Sequence, residues 1–314
     1  MRALRVTSED GPGAVELRND VAAPDGPLVI SVRAAGVSFP DLLMTRGEYQ
    51  LRQPLPFTLG SEAAGEVFSA PQDSPWQVGD RVVTLSLGAH AERVAANESL
   101  TFALPDKLSF AEGAALPLNY LTALAALERR GRLRAGETVL VHGAAGGVGT
   151  ASIQIAKALG AHVVAVVSTQ VKADAALAAG ADEVVIGEDF RSQLSAPVNV
   201  VIDPVGGQER FTDSLRALAP EGRAVVVGFT AGEIPTVKVN RLLHRNIEVI
   251  GCDFGVLATT PDGMKQAAAR LGELVRSDAV RPVVGSQFNI EDGPRALRKL
   301  EDRRAIGKVI LTLQ

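Results

Sequence analysis

The residues best suited to chemistry lie in the run Val139-Leu-Val-His-Gly-Ala-Ala-Gly-Gly-Val-Gly149, where an apolar strand ends in a glycine-rich turn and opens the amphipathic helix Val148–Leu159. Gly146 and Gly149 have the spacing of the second and third glycines of a dinucleotide fingerprint, with Ala144 in the first place. Lacking a Cβ, Gly146 and Gly147 let the backbone approach a pyrophosphate, while the helix start supplies unpaired N–H groups and a positive dipole end. Gly149 permits the helix to pack closely on the strand. Ala145, Gly146, Gly147, Val148 and Gly149 are therefore the expected phosphate contacts. The preceding strand, the following helix and a second strand about 20 residues on give the pattern the context that a glycine motif needs.

That second strand, His162–Val167, continues into Ser168, Thr169, Gln170, Val171 and Lys172. NAD binders place a carboxylate at this strand end to accept from the adenosine ribose 2′-hydroxyl, and the same carboxylate would repel a 2′-phosphate. None stands here. Hydroxyls at Ser168 and Thr169 with a cation at Lys172 suit a phosphate, so the expected cofactor is NADPH. Lys172 also reads as a solvated helix residue, and the missing carboxylate is the firmer half of the argument.

Other oxidoreductase chemistries are excluded by what is missing. A Tyr-x-x-x-Lys pair, in which lysine lowers the tyrosine pKa, is absent: Tyr49 and Tyr120 are the only tyrosines, followed four positions on by Gln53 and Leu124. The single cysteine, Cys252, allows no internal disulfide, Cys-rich zinc site or iron–sulfur cluster. No metal site is expected.

The elements that must position these groups fall into two patterns. Residues 1–117 hold short β-type runs (Leu28–Arg33, Glu62–Phe68, Arg81–Ser86) broken by Gly, Pro and Asp, a β-rich domain. Residues 118–255 alternate strands (Thr138–His142, Val163–Val167, Glu183–Ile186, Val198–Asp203, Arg223–Gly228, Ile247–Ile250) with helices, clearest at Val148–Leu159 and Val171–Ala179. This predicts a doubly wound parallel sheet, an α/β fold. Residues 256–314 offer a helix at Pro261–Arg276, the run Val283-Val-Gly285, a helix at Gly293–Glu301 and a last strand within 307–313. Too short for a domain, this tail is expected to complete the first one.

Composition agrees with a small-molecule partner. The 314 residues carry 32 basic and 36 acidic side chains, net −4, which gives no electrostatic footprint for nucleic acid or an anionic membrane. No apolar run reaches the roughly 18 to 20 residues a membrane helix needs, and the N-terminus lacks signal-peptide character. A cytoplasmic protein is expected.

Together the runs Ala34–Leu43, Arg46-Gly-Glu-Tyr49, Leu59–Gly65, Gly79-Asp-Arg-Val82, Leu118–Ala123, the phosphate loop and Gly307-Lys-Val309 resemble the zinc-independent NADPH:quinone oxidoreductase branch of the medium-chain dehydrogenase/reductase superfamily, over essentially the whole chain. The resemblance implies a GroES-like catalytic domain at both ends, a Rossmann domain between, an active site in the cleft and a homodimer. It places Ser38 and Ser61 where zinc-containing relatives carry a cysteine and a histidine ligand, which implies hydride addition to electron-poor acceptors, quinones or α,β-unsaturated carbonyls.

The resemblance also suggests roles. Tyr49 would protonate or orient substrate, or else pack at the domain rim; a phenol can donate to a developing enolate or hydroquinone oxygen. Ser38 would line the nicotinamide pocket, and Asp41 would join it there or cap the following helix. Thr122 would contact the nicotinamide ribose or amide, with helix packing as its other reading, and Asn119 would serve the same region. Phe229 and Thr230 would meet the carboxamide, and Arg303 the 2′-phosphate. Gly187 stands where some quinone reductases have a tyrosine near that phosphate, which implies weaker phosphate selectivity. His90, a lone histidine beside small residues, reads as structural. From another class, a nucleotide-binding structural or regulatory protein with little turnover is also compatible, because fold does not fix function.

Overall fold

The computed structural model describes residues 1–260 and 262–313. The chain forms two compact units, Met1–Leu118 with Pro282–Gln314, and Asn119–Arg281.

The second unit is built on a parallel sheet of six strands among the described residues, in the order Glu183–Ile186, His162–Val167, Thr138–His142, Val198–Asp203, Leu218–Val226, Glu248–Gly251. Counted within the unit this is 3-2-1-4-5-6, the doubly wound Rossmann order, and every pairing is parallel. Its central strands are near-continuous Val, Ile and Leu because both faces are covered: Val139, Leu140, Val141, Val200, Val201 and Ile202 are fully buried. Helices Gly147–Ala158, Gln170–Ala178 and Gln208–Ala217 make the crossovers. The order reverses between Thr138–His142 and Val198–Asp203, so the turns after these two strands flank the switch point at which such sheets bind ligands.

The first unit is β-rich. Its larger sheet runs Val284–Asn289, Lys308–Thr312, Leu28–Val37, Glu62–Ser69, Arg81–Leu85, Thr101–Ala103, with Arg93–Ala96 also paired to Leu28–Val37. The last strand, Lys308–Thr312, lies antiparallel to Leu28–Val37 with Ile310 opposite Gly36, so the chain's two ends share one core.

One domain boundary differs from expectation. Helix Gly263–Arg276 falls in the second unit, not with the tail; the proposed first residue, Pro261, lies outside the described residues. The helix is amphipathic, burying Met264, Leu271, Leu274 and Val275, and Arg270 pairs with Glu128 at 3.1 Å. Gln154 Nε2 donates to the Arg281 carbonyl at 2.9 Å, fixing the segment after it to the same unit. A helix–helix contact across more than a hundred residues of chain leaves no local signal. Strand Leu218–Val226 also starts earlier than the expected Arg223.

His142 ends the first Rossmann strand fully buried, its Nε2 2.7 Å from Ser214 Oγ and its ring edge-on to Phe190 at 4.8 Å between centroids. Burial, reinforced by the charge of Arg210, pushes its pKa down to about 3. The folded state thus binds fewer protons than the unfolded chain between about pH 6.5 and 3, and His142 withdraws stability as pH falls through that window. Urea unfolding of the wild type and His142→Gln at pH 7 and 5.5 is expected to show the wild type losing about 1 kcal/mol more than the variant over that interval.

Candidate active site

In the second unit the glycine turn has the shape that its sequence implies. Gly143, at its start, turns with φ +57°, Gly146 N donates to the Gly143 carbonyl at 2.9 Å, and Gly146 is the N-cap of helix Gly147–Ala158. Thr150 Oγ1 donates back to the Gly146 carbonyl at 3.0 Å and pins the first turn, leaving its N–H groups facing outward as in any helix start. A Cβ on Gly149 would lie 2.3 Å from the Gly143 oxygen and 2.6 Å from Ala144 Cα, so this glycine is what lets the helix sit against the strand end. A Cβ on Gly147 would lie 2.3 Å from Asn119 Nδ2. Asn119, buried on helix Pro117–Leu124, is therefore seated directly against the loop. Ala145 is buried and Val148 half-buried.

At the end of His162–Val167 the three expected residues meet one another. Lys172 Nζ donates to Ser168 Oγ at 3.2 Å, and Thr169 is the N-cap of helix Gln170–Ala178, accepting from Lys172 N. Thr169's hydroxyl is thus occupied in part by capping, a role its position before a helical run signals. Gly187, just past the neighbouring strand, has φ +101°, a conformation that favours glycine there on backbone grounds.

Phe229 and Thr230 are held by a device the sequence reasoning missed. Asp203 Oδ1 accepts from Val205 N at 2.8 Å and Gly206 N at 2.9 Å, shaping the turn after its strand. Thr230 N and Ala231 N then donate to the carbonyls of Pro204 and Val205. Burial raises the pKa of Asp203 against the opposing pull of those N–H groups and Arg210, and its Oδ2 has no partner among the described residues. Thr122 is buried one turn beyond Asn119. Arg303 is on the first unit, exposed, with φ +55° after helix Gly293–Glu301.

The first unit gathers Ser38, Asp41, Ser61, Glu62 and Lys308 into one polar cluster. Asp41 Oδ2 accepts from Ser38 N at 2.7 Å and its Oδ1 from Ser61 Oγ at 2.9 Å. Asp41 therefore carries one arm of a capping box for helix Phe39–Thr45. Ser38's hydroxyl accepts from Lys308 Nζ at 2.6 Å and donates to Glu62 Oε1 at 3.2 Å. Lys308 and Glu62 form a salt bridge with side chains 3% and 0% exposed, and Glu62 Oε2 accepts from Leu118 N at 2.8 Å. Taking these two ions out of water costs on the order of several kcal/mol each, and the contacts just named are what offset it. A Cβ on Gly36 would stand 2.6 Å from Glu62 Oε1 and 2.7 Å from Lys308 Cε, so this glycine makes the room. Sequence reasoning missed Glu62 and Lys308 as a pair; the signal was a lysine opening an otherwise apolar final strand.

Tyr49 is half-buried, its ring packed against the apolar core of the first unit. His90 is fully buried, with Nε2 3.0 Å from the Gly36 carbonyl and Nδ1 unpartnered among the described residues, the structural setting expected of it. No group of three or more His, Cys, Asp or Glu among the described residues is placed to hold a metal ion. No helix among them is long and apolar enough to cross a membrane.

The zinc-binding dehydrogenase family matches residues 147–271, and the alcohol dehydrogenase GroES-like domain family residues 24–115. The chain is 37% identical to quinone oxidoreductase-like protein 2 of Bos taurus over 91% of its length and 84% of the relative's. Among solved structures it is similar to a probable oxidoreductase from Mycobacterium abscessus (42% identity, TM-score 0.91, covering 100% of this chain and 99% of that one). It is also similar to the quinone oxidoreductase from Thermus thermophilus, solved with its NADPH complex (35% identity, TM-score 0.84, both chains covered in full).

The glycines differ in what surrounds them, and this sets an order of tolerance. Gly149→Ala is expected to cost about 1–3 kcal/mol by overpacking against backbone, lowering Tm by several degrees. Gly146→Ala, whose Cβ would meet nothing nearer than 3.3 Å, is expected to leave Tm nearly unchanged. Calorimetry of the two variants checks the order.

Proposed function

The chain belongs to the quinone oxidoreductase branch of the medium-chain dehydrogenase/reductase superfamily, and we propose that it reduces quinones or α,β-unsaturated carbonyls with NADPH, without zinc. The observation that carries this reading is the strand end at Ser168, where Lys172 Nζ donates to the Ser168 hydroxyl, in the same unit as a glycine turn whose Gly149 leaves no room for a Cβ. The donor set argues against zinc: Ser38 and Ser61, at the two ligand positions of zinc-containing relatives, are hydroxyls bonded to Lys308 and Asp41.

The residues fit the cofactor in chemical type. The N–H groups at Gly147, Val148 and Gly149 would hold the pyrophosphate, Ser168, Thr169 and Lys172 the 2′-phosphate, and Asn119, Thr122, Phe229 and Thr230 the nicotinamide half. Bound, NADPH supplies the hydride. Tyr49 would donate to the acceptor oxygen as negative charge builds there, with Ser38 as a further donor. An acceptor already electron-poor needs no Lewis acid, only such donors.

A homodimer is part of the proposal. Strand Glu248–Gly251 is an edge strand of its sheet, and the segment before it exposes Ile234, Val239 and Leu243 by more than 70% each. Pairing this edge with that of a second copy would cover both liabilities.

Purified protein with NADPH and a panel of quinones and enones, followed by nicotinamide absorbance, is expected to turn over at least one acceptor; NADPH binding without turnover on any would favour the regulatory reading instead. Tyr49→Phe is expected to lose roughly 100-fold in kcat with NADPH binding intact. Lys172→Glu should weaken NADPH roughly tenfold to a hundredfold while sparing NADH, and equal loss for both would remove Lys172 from the phosphate site. Arg303→Ala belongs in the same titration. Light scattering is expected to give twice the chain mass for the wild type and one chain mass for Val239→Glu/Leu243→Glu; a monomeric wild type would sink the dimer.

A further inference from the structure

We infer that Lys308 is a positioning residue that turns the Ser38 hydroxyl into a strengthened hydrogen-bond donor toward a developing oxyanion, an inference that rests on the reading of Ser38 as part of the substrate site. The first step is the direction of the hydrogen bonds. An ammonium can only donate, so the 2.6 Å contact occupies a lone pair of Ser38 Oγ and leaves the serine's own hydrogen to be placed elsewhere. The acceptor within reach inside the cluster is Glu62 Oε1, at a long 3.2 Å, and that oxygen already takes the Lys308 ammonium. Ser38's hydrogen is thus weakly held.

Asp41 adds the second constraint. Its carboxylate fixes Ser38 N at 2.7 Å and Ser61 Oγ at 2.9 Å, so the Ser38 backbone is held while its hydroxyl rotor stays adjustable. An oxygen that accepts from a cation donates more strongly in turn, because hydrogen bonds in a chain polarise one another, and more so out of water. The cluster is out of water: Ser38 is 5% exposed, Lys308 3% and Glu62 0%. The third constraint is electrical. Glu62 and Lys308 form a buried ion pair that is neutral overall, so it adds a local dipole at Ser38 and no net charge. When negative charge grows on an acceptor oxygen, Ser38 can swing its hydrogen from Glu62 to that oxygen with the ammonium still behind it. No proton leaves Lys308. The substrate class this favours is one whose reduced form carries an oxyanion: an enolate or a hydroquinone monoanion.

The test uses 4-nitrophenol, a phenol whose anion mimics that oxygen and absorbs separately from the neutral form. In the complex with NADP⁺, the bound phenol is expected to ionise about tenfold more readily in the wild type than in Lys308→Met/Glu62→Gln, a double variant that avoids leaving a buried carboxylate unpaired. Ser38→Ala should lose the same amount, and the three substitutions together should lose no more than either alone, because Lys308 acts through Ser38. Lys308→Arg should restore part of the effect. Circular dichroism and Tm certify that each variant is folded. A folded Lys308→Met/Glu62→Gln protein that still ionises the phenol like the wild type, or losses that multiply as independent effects, would overturn the inference. Absent turnover with the phenol shift intact would count against the reductase reading alone; turnover with no dependence of the shift on Lys308 would count against this inference alone.

Discussion

A lysine and a glutamate that meet with almost no water between strands at opposite ends of the chain govern how the first unit is put together. Lys308 opens the last strand and Glu62 opens the strand two places across the same sheet, with Leu28–Val37 between them. Neither ion is tolerable alone: removing one partner of such a pair costs about 3–5 kcal/mol, because it strands the other charge. The pair therefore demands that the tail complete the sheet before the cluster is satisfied. It also demands Gly36 on the intervening strand, since any side chain there would occupy the pair's space. Glu62's remaining oxygen accepts from Leu118 N, at the end of the unit's first segment, so the carboxylate that holds the ammonium is satisfied on both oxygens.

The second unit solves a different problem, backbone approach, and solves it with missing atoms. Gly149 brings a helix onto a strand end and Gly147 seats Asn119; neither contact survives a methyl group. Polar groups buried near the same sheet edge are correspondingly sparse and specific. Asp203 commits one oxygen to two turn N–H groups, and His142 is kept neutral behind Ser214 and Phe190. Farther along the sheet, Arg223 is locked bidentately to Glu137 at 2.9 and 2.8 Å, a geometry that strengthens a partly buried ion pair.

How much of this was legible in the sequence follows from the range of each interaction. Five strands of the parallel sheet could be placed to within a residue, because parallel strands covered on both faces read as apolar runs between glycine turns. The strand–glycine turn–helix unit at 138–158 was legible for the same reason: its parts are contiguous, and their glycines are spaced by local sterics. Ser168, Thr169 and Lys172 fall within one helical turn, so their meeting was local too. Helix Gly263–Arg276 was assigned to the wrong unit because its amphipathic stripe says that one face is buried and nothing about against what. The motifs Leu59–Gly65 and Gly307-Lys-Val309 were both noticed, yet the ion pair joining them was not. A lysine at the head of an apolar strand looks like a charged end reaching for solvent, and only the register of the folded sheet turns it inward.

That register has a chemical consequence for the serines beside the pair. Hydroxyls at Ser38 and Ser61 are neutral and, left to themselves, would be modest donors. The scaffold around them is charged: Asp41 takes one serine's hydrogen and the other's backbone N–H, and Lys308 donates to Ser38. Two of the tethered ammonium's three hydrogens are directed to Glu62 and Ser38, which ties it into the cluster. Its influence passes through the serine it holds.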